Sequence, residues 1–521
     1  MPVQDDHHSE VDQHLAALIT NAGAIRAVTE TVEGTLGPKG LDCMLIDPYG
    51  SLIITNDGVA ILRAMDIRHP AARVLIGAAE QQDEQVGDGT TTATVIAGSL
   101  IAEGANQVAK GVPAIKVVEG IRIGIAKALE LLKETADPLP DLQSPVLEQL
   151  ALIAARENRE IAELAVSAAR IVGAEKLLDP GFKLAEQIIA LEGPESGLIT
   201  GTIINREPLN KEAPRRVAPA KILILDDALE PERVDNEALR SEAGFEQQLH
   251  NQRVFESNLE KLTLLGVNAI FTDRGISDRA EDWLTEAGIL AVPRVFGNEW
   301  RRLAVMCGAR PVKRSSLTRS VEDLGKVTGS AAAVEWDQKY RQIRVTANPS
   351  QNFVTMVIGA ATRTVAEERE RVARDAAAAV QAAWRGGVVP GGGATELGIA
   401  VRLKQITVPG MAGYGVACVG EALQRPMAQI CSNAGFNPLE KIAAVTARQT
   451  EEGNFRYGVN CETGAVEDMA AAGVWDPYYV KYYAIKSAGE IGEAILRINT
   501  MIKMKAARIP GEPGDPDLLI N

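Results

Sequence analysis

Strand-like runs in this 521-residue chain gather in its middle while both ends read as helix, and that distribution constrains the fold more than any single motif does. Residues 221–225 (KILIL), 267–271 (VNAIF) and 289–292 (ILAV) are short buried-type strands separated by helical stretches. Strand–helix–strand alternation implies an α/β module with at least some parallel strands. Before it, apolar residues recur at helical spacing over 11–32, 73–86, 91–110 and 114–135; after it they do so over 367–384, 396–403, 415–434, 438–450 and 486–498. Helix-rich ends around a mixed middle are expected when the middle is inserted into one terminal domain.

Finer punctuation follows from turn chemistry. Residues 43–46 and 51–55 read as a hairpin around Asp47-Pro48-Tyr49-Gly50, and 59–65 as a short helix. Asp137-Pro138-Leu139-Pro140 marks a break, helices follow over 146–171, and 188–207 turns to strand. A further strand is expected at 350–355 and a short run at 500–509. Residues 230–266 are charged and mostly helical, with Gly244 as a break, and are longer than an ordinary crossover helix requires. That excess length predicts a segment projecting from its domain.

Composition narrows the function classes. Apolar content of 46% and charged content of 24% describe a folded chain, and only 4% aromatics means aliphatic cores of closely packed helices. A net charge of −15 argues against nucleic acid as a partner, because phosphate binding needs basic surface. Cys43, Cys307, Cys418, Cys431 and Cys461 are scattered, with no CxxC pair and no histidine at zinc spacing, so reduced thiols are expected. No apolar run approaches the roughly 20 residues that span a bilayer. The opening MPVQDDHHSE lacks the regions of a signal peptide and reads as a solvated polar tail, His7 and His8 included. A cytoplasmic protein without a membrane partner is the expectation.

Between two helical runs lies Gly87-Asp88-Gly89-Thr90-Thr91-Thr92. Gly87 can take the left-handed conformation that ends a helix. The glycines admit close backbone approach, and unpaired N–H groups at the next helix start attract anions. Threonine hydroxyls add donors, and Asp88 offers a hard oxygen to Mg²⁺. Three further glycine turns accompany it: Thr35-Leu36-Gly37-Pro38-Lys39-Gly40, Asn56-Asp57-Gly58 and Pro390-Gly391-Gly392-Gly393. Each alone is more often a turn than a site. Together, with carboxylates at Asp57 and Asp88, they favour a phosphate-and-magnesium site in which the protein mainly positions metal, phosphates and water. Neither GxxxxGK[ST] nor a GxGxxG after a strand occurs, and five histidines, two in the tail, support no Ser/His/Asp constellation.

In order, TLGPKG, ITNDG, GDGTTTATV, VVPGGGA and GVWDP resemble the nucleotide-site motifs of the chaperonins over nearly the whole chain. The TNDG and GDGTTT wording, the stretch SDRAEDWLTEAGILAVPRV and the polar insertion after KILIL resemble the group II, thermosome-like type, in which that insertion is a built-in lid. The resemblance implies a multidomain α and α/β fold. Residues 1–137 with 391–521 would form a mostly helical equatorial ATPase domain. Residues 138–206 with 357–390 would form a small α/β intermediate domain, and 207–356 an α/β apical domain with a helical protrusion at 230–266. It also implies ATP and Mg²⁺, with Asp88 as metal ligand and Gly87, Gly89, Thr90, Thr91 and Thr92 on the phosphates. Thr35, Leu36, Gly37 and Pro38 would lie along the nucleotide, and Gly392 and Asp476 near its ribose. Asp57 would position the attacking water together with Asp375, which sits in the motif-like run Glu370-Arg371-Val372-Ala373-Arg374-Asp375-Ala376.

Two departures qualify the match. Asp476, in Trp475-Asp476-Pro477, stands where group II has a glutamate, and residues 154–159 (AARENR) lack the group II nucleotide-sensing lysine, leaving Arg156 or Arg159 in its region. This mixture resembles the bacterial group II-like branch called group III. The implied function is an ATP-driven chaperone of two stacked rings of eight identical subunits, acting on non-native polypeptides without a separate co-chaperonin lid. The alternatives are a non-folding ATPase or phosphotransferase and a purely structural ring scaffold.

Overall fold

The computed structural model describes residues 7–46, 50, 52–193, 195–235 and 240–500. It opens with α1 (His7–Glu33), the hairpin strands β1 (Cys43–Ile46) and β2 (Leu52–Thr55), and helices α2 (Gly58–Ala64), α3 (Pro70–Val86), α4 (Thr90–Ala109) and α5 (Ala114–Thr135). Then come α6 (Pro145–Ala154), α7 (Arg159–Val172), α8 (Ala174–Leu178), β3 (Ile188–Glu192) and β4 (Gly197–Ile199). The middle runs through β5 (Gly201–Ile204), β6 (Arg216–Val217), β7 (Ala220–Leu225), α9 (Glu242–Leu264), β8 (Ala269–Thr272), α10 (Asp278–Glu286), β9 (Leu290–Val292) and α11 (Asn298–Cys307). It closes with α12 (Val321–Gly325), β10 (Gly329–Ala331), β11 (Ala333–Asp337) and β12 (Gln342–Thr346). Next are β13 (Thr355–Ala360), α13 (Arg363–Gly386) and β14 (Val388–Pro390). The last elements are α14 (Ala394–Leu403), α15 (Ala412–Asn433), α16 (Pro438–Glu452), β15 (Tyr457–Val459), β16 (Val466–Asp468), β17 (Trp475–Pro477) and α17 (Tyr478–Leu496).

Both ends of the chain build one helical core, in which Leu75, Leu100 and Ile121 pack with Val419, Leu423 and Ile485. Small residues set its spacing: where α5 crosses α15, a Cβ on Gly120 would lie 2.8 Å from the Cα of Gly415, so the backbones touch directly. A second core forms around α13, whose Ala373, Ala376, Ala377 and Val380 meet Leu150 of α6, Ala165 of α7 and Ile188 and Ile358 of the sheet β3-β13-β4. β3 and β13 are parallel there and β4 antiparallel.

The middle segment is organised by the sheet β10-β7-β8-β9, with β7, β8 and β9 parallel and β10 antiparallel. Because side chains alternate across a strand, Ile222 and Ile224 of β7 pack with Leu303 and Val345 on one face, whereas Leu223 and Leu225 pack with Leu259 and Leu284 on the other. A second, antiparallel sheet, β5-β12-β11-β6, backs the first face.

Five expectations need revision. Residues 7–10 belong to α1 rather than to a tail. Gly244 does not break 230–266; it lies in the first turn of α9, where its N–H donates to the cap Ser241 at 3.1 Å. The C-terminal half of α9 is the crossover between β7 and β8, with Phe255, Leu259 and Leu262 buried, so only its N-terminal half, bearing the 58% exposed Phe245, projects from the core. The strand expected at 350–355 starts only at Thr355: Pro349–Gln351 is a single 3₁₀ turn closed by reciprocal Asn348 and Gln351 bonds. The last helix begins at Tyr478, not near 486, with Tyr478 and Tyr479 stacking one turn on against Tyr482 and Tyr483. Of the run expected at 500–509, residues 501–509 lie outside the described residues. All five cysteines are free. Among the described residues, no helix is long and apolar enough to cross a membrane.

Candidate active site

The loop between α3 and α4 is held in shape from four sides. Gly87 (φ 67°) and Gly89 (φ 75°) are both left-handed, so Asp88 stands between two positions that side-chain-bearing residues rarely occupy. A Cβ on Gly87 would lie 2.7 Å from Ala378 of α13, and one on Gly89 would collide with Val480 of α17. Gln82 of α3 ties loop to helix, its side-chain N–H group donating to the carbonyls of Asp88 (3.0 Å) and Val480 (3.1 Å). The carboxylate of Asp88 accepts from the Gly89 N–H. Thr90 and Thr92 are buried at the start of α4, and Thr91 sits half-buried between them.

Asp57 caps α2, accepting from the Val59 N–H at 3.1 Å, while its own N–H donates to Thr55 Oγ1 at 3.1 Å. The next residue, Gly58, packs directly on Thr91, where any Cβ would strike the threonine oxygen. Two turns 30 residues apart are thereby pressed together. Asp375 arrives from α13, in the second core. Arg156 meets it, with Nη2 3.6 Å from Asp375 Oδ2 and Nη1 3.0 Å from Glu368. Arg156 and Glu157 are themselves left-handed (φ 53° and 63°), a strained pair at the α6–α7 junction that aims the guanidinium at the site. Arg159, on the first turn of α7, forms no ion pair among the described residues.

The charges respond to one another. Burial, with Asp476 as the next cause, pushes the Asp88 carboxyl up to about 6. Burial, then Asp88 and Asp57, drives Asp375 well above the usual carboxylate range. Asp57 is raised by burial and by Asp83, with Arg156 opposing. The site therefore gathers more buried negative charge than its one nearby arginine balances.

The glycine turn after α13 closes the other side. β14 pairs with β17, placing Val389 opposite Asp476 and Pro390 opposite Trp475. The Gly391 N–H donates to the Val474 carbonyl at 2.9 Å, and a Cβ on Gly391 would sit 3.0 Å from Asp476 Oδ2. Gly392 (φ 64°) and Gly393 (φ 79°) continue into α14. Lys481 of α17 reaches Asp476 at 2.8 Å and Glu396 of α14 at 2.6 Å. The turn after α1 is tied elsewhere: Asn433 of α15 donates to the carbonyls of Glu33 (3.0 Å) and Leu36 (2.9 Å), and Gly37 (φ 85°) abuts Ile430. Thr35 Oγ1 donates to the Val32 carbonyl at 2.8 Å, and neither Thr35 nor the following Leu36, Gly37 and Pro38 bonds to any of the four aspartates among the described residues.

Asp57, Asp88, Asp375 and Asp476 thus act on one neighbourhood, whereas the turn at Leu36 and Gly37 is held against Asn433 and Ile430 of α15. Gln82, Lys481 and Glu396 are absent from the sequence reading. No local pattern marks Gln82 or Lys481, and Glu396 is distinguished only as an acid directly behind the glycine run. Among the described residues no cluster of three or more His, Cys, Asp or Glu is arranged to hold a metal. Such a donor set suits Mg²⁺, which takes one or two carboxylates and completes its shell with phosphate and water. At 58, 89 and 391 a Cβ would strike Thr91, Val480 or Asp476, so glycine is what lets these turns pack closely around the carboxylates.

A helical core made from both chain ends and an α13 core, meeting at a glycine-lined carboxylate cluster, together with a separate β-sheet middle, define a class of protein. Residues 28–506 match the TCP-1/cpn60 chaperonin family, and the chain belongs to it. Its function is that of an ATP-dependent chaperonin, a family whose members work as multi-subunit rings on unfolded chains. It is 33% identical to the thermosome subunit beta of Archaeoglobus fulgidus, covering 96% of this chain and 94% of that one. It is 35% identical to the thermosome subunit of Pyrococcus abyssi, covering 92% and 90%. The crystal structure of a group III chaperonin in the open state superposes with a TM-score of 0.82 at 43% identity, covering 94% of this chain and all of that one.

Proposed function

We propose that this chain binds Mg-ATP at the carboxylate cluster and hydrolyses it to drive the opening and closing of a folding chamber. What supports the reading most is that Asp375 belongs to the α13 core whereas Asp57 and Asp88 belong to the core of the chain ends. A site whose parts come from two packing units is complete only when those units approach, so chemistry and movement are linked.

Asp88 would hold the metal, and the start of α4 with Thr90, Thr91 and Thr92 would donate to phosphate oxygens. Bound Mg²⁺ supplies charge neutralisation across those oxygens. Asp57 and Asp375 orient the attacking water, and Asp375, raised well above the ordinary range, takes its proton at the carboxylate. Thr35, Leu36, Gly37 and Pro38 line the nucleotide, with Gly392 and Asp476 beside its sugar. Arg156 is the cation that leaves Asp375 when phosphate arrives, which makes it rather than Arg159 the nucleotide-responsive arginine.

Residues 1–137 with 391–521 are the equatorial domain, 138–206 with 357–390 the intermediate domain and 207–356 the apical domain. The projecting part of 230–266 is the lid. The working assembly is two stacked rings of eight identical cytoplasmic subunits, needing no separate cap and no nucleic acid or membrane partner. The test is Asp375→Ala: steady-state ATP hydrolysis should fall by about 10²-fold or more while Mg-ATP binding persists. Hydrolysis at the wild-type rate would remove Asp375 from the mechanism.

A further inference from the structure

Lys481 is an unusual residue for its place. Its side chain is 7% exposed, and it lies between the fully buried Glu396 and the 25% exposed Asp476. A lone buried ammonium would shed its proton; two carboxylates within 2.8 Å keep it charged. Three elements meet there: α14 brings Glu396, β17 brings Asp476 and α17 brings Lys481. The contact on Asp476 is one-sided. Oδ2 takes the Lys481 ammonium and faces the bare backbone of Gly391, while Oδ1 has no partner among the described residues. An aspartate pinned through one oxygen presents the other in a fixed direction, which a freely rotating carboxylate does not do.

We propose that Lys481 is a positioning residue for sugar recognition: it fixes Oδ2 of Asp476 so that Oδ1 accepts a hydrogen bond from a ribose hydroxyl, and Glu396 holds Lys481 in place. The inference rests on the reading of Asp476 as the residue beside the nucleotide sugar. It adds that the ribose preference is set two residues away from the ligand, by a buried ion triad. The neighbouring Val480 carbonyl, bonded to Gln82, ties the same turn of α17 to the Asp88 loop, so sugar and phosphate ends share one anchor.

The experiment compares kcat/KM for ATP, 2′-deoxy-ATP and 3′-deoxy-ATP in the full-length protein. Asp476→Asn calibrates the assay and should reduce the preference for ATP over one of the deoxy analogues. Lys481→Met should lower the same preference by about tenfold, with the loss falling on KM more than on kcat. Removing one partner of a buried ion pair can prevent folding, so Lys481→Met/Glu396→Leu, which replaces both buried charges by apolar groups of similar size, is the second variant. It should show the same loss of discrimination. If Asp476→Asn lowers the preference and the double variant keeps the wild-type ratio, Lys481 is merely structural and the inference fails. If Asp476→Asn leaves the ratio unchanged, the assignment of Asp476 to the sugar fails, and this inference with it.

Discussion

At Asp88 a single carboxylate carries a conflict between folding and function. Folding raises its pKa from 3.8 to about 6, so between those values the folded chain binds the proton more tightly than the unfolded chain. Stability contributed by this group is therefore present at low pH and lost as pH rises through about 6. In EDTA, the unfolding free energy of Asp88→Asn should exceed that of the wild type at pH 7.5 by on the order of 1–3 kcal/mol, and the gap should narrow as pH falls through about 6 and close only below 3.8. Added Mg-ATP should stabilise the wild type and not the variant; equal stabilisation of both would displace Asp88 as metal ligand. Gly89→Ala puts a Cβ at φ 75° into Val480, costing about 1–3 kcal/mol and disturbing the loop. Asp88 and the glycines around it were legible in the sequence because turn chemistry is local. Gln82 was not, since its partner Val480 lies 398 residues away.

Element scale shows where periodicity suffices and where it fails. α5 was expected over 114–135 and occupies Ala114–Thr135, because its apolar stripe, its flanking Pro113 and its end signals agree. α9 was expected to project entirely, yet Leu259 is 1% exposed against β7 and β8 while Leu249 is 39% exposed. Both leucines sit on the same amphipathic pattern, and only the presence of a sheet beneath one of them separates their roles. Leu259→Ala should destabilise the middle segment by about 2–5 kcal/mol, and Leu249→Ser by less than about 0.5 kcal/mol, as read by urea unfolding. Comparable losses would mean that the N-terminal half of α9 is packed too. At the other end, YYVKYY gives no clean apolar stripe. Its helix is fixed by Pro477 at the cap, by tyrosine stacking and by the buried Lys481.

For the whole molecule, movement between the cores is the central matter. Besides Asp375, the described contacts between them include Lys183 Nζ donating to the Glu84 carbonyl at 2.8 Å and the packing of Ala378 on Gly87. α13 also packs on α17, where Gly386 meets Tyr478 and Tyr479, so closure moves a packed seam. Limited proteolysis within 230–266 should be suppressed by Mg-ATP without any added protein; cleavage in every nucleotide state, despite active hydrolysis, would mean that the projecting segment is not a lid. Native mass measurement should give about 0.9 MDa for sixteen chains of 55.6 kDa each, and another multiple would revise the ring size. The amino-acid sequence alone determined the family, the helical ends around a strand-bearing middle, and the four glycine turns, because motifs, periodicity and turn preferences act over a few residues. Tertiary structure decided which arginine meets Asp375, which half of α9 is core, and that Lys481 is buried between Glu396 and Asp476. Those outcomes depend on electrostatics and burial between separate elements that only the fold brings together, and no local pattern encodes them.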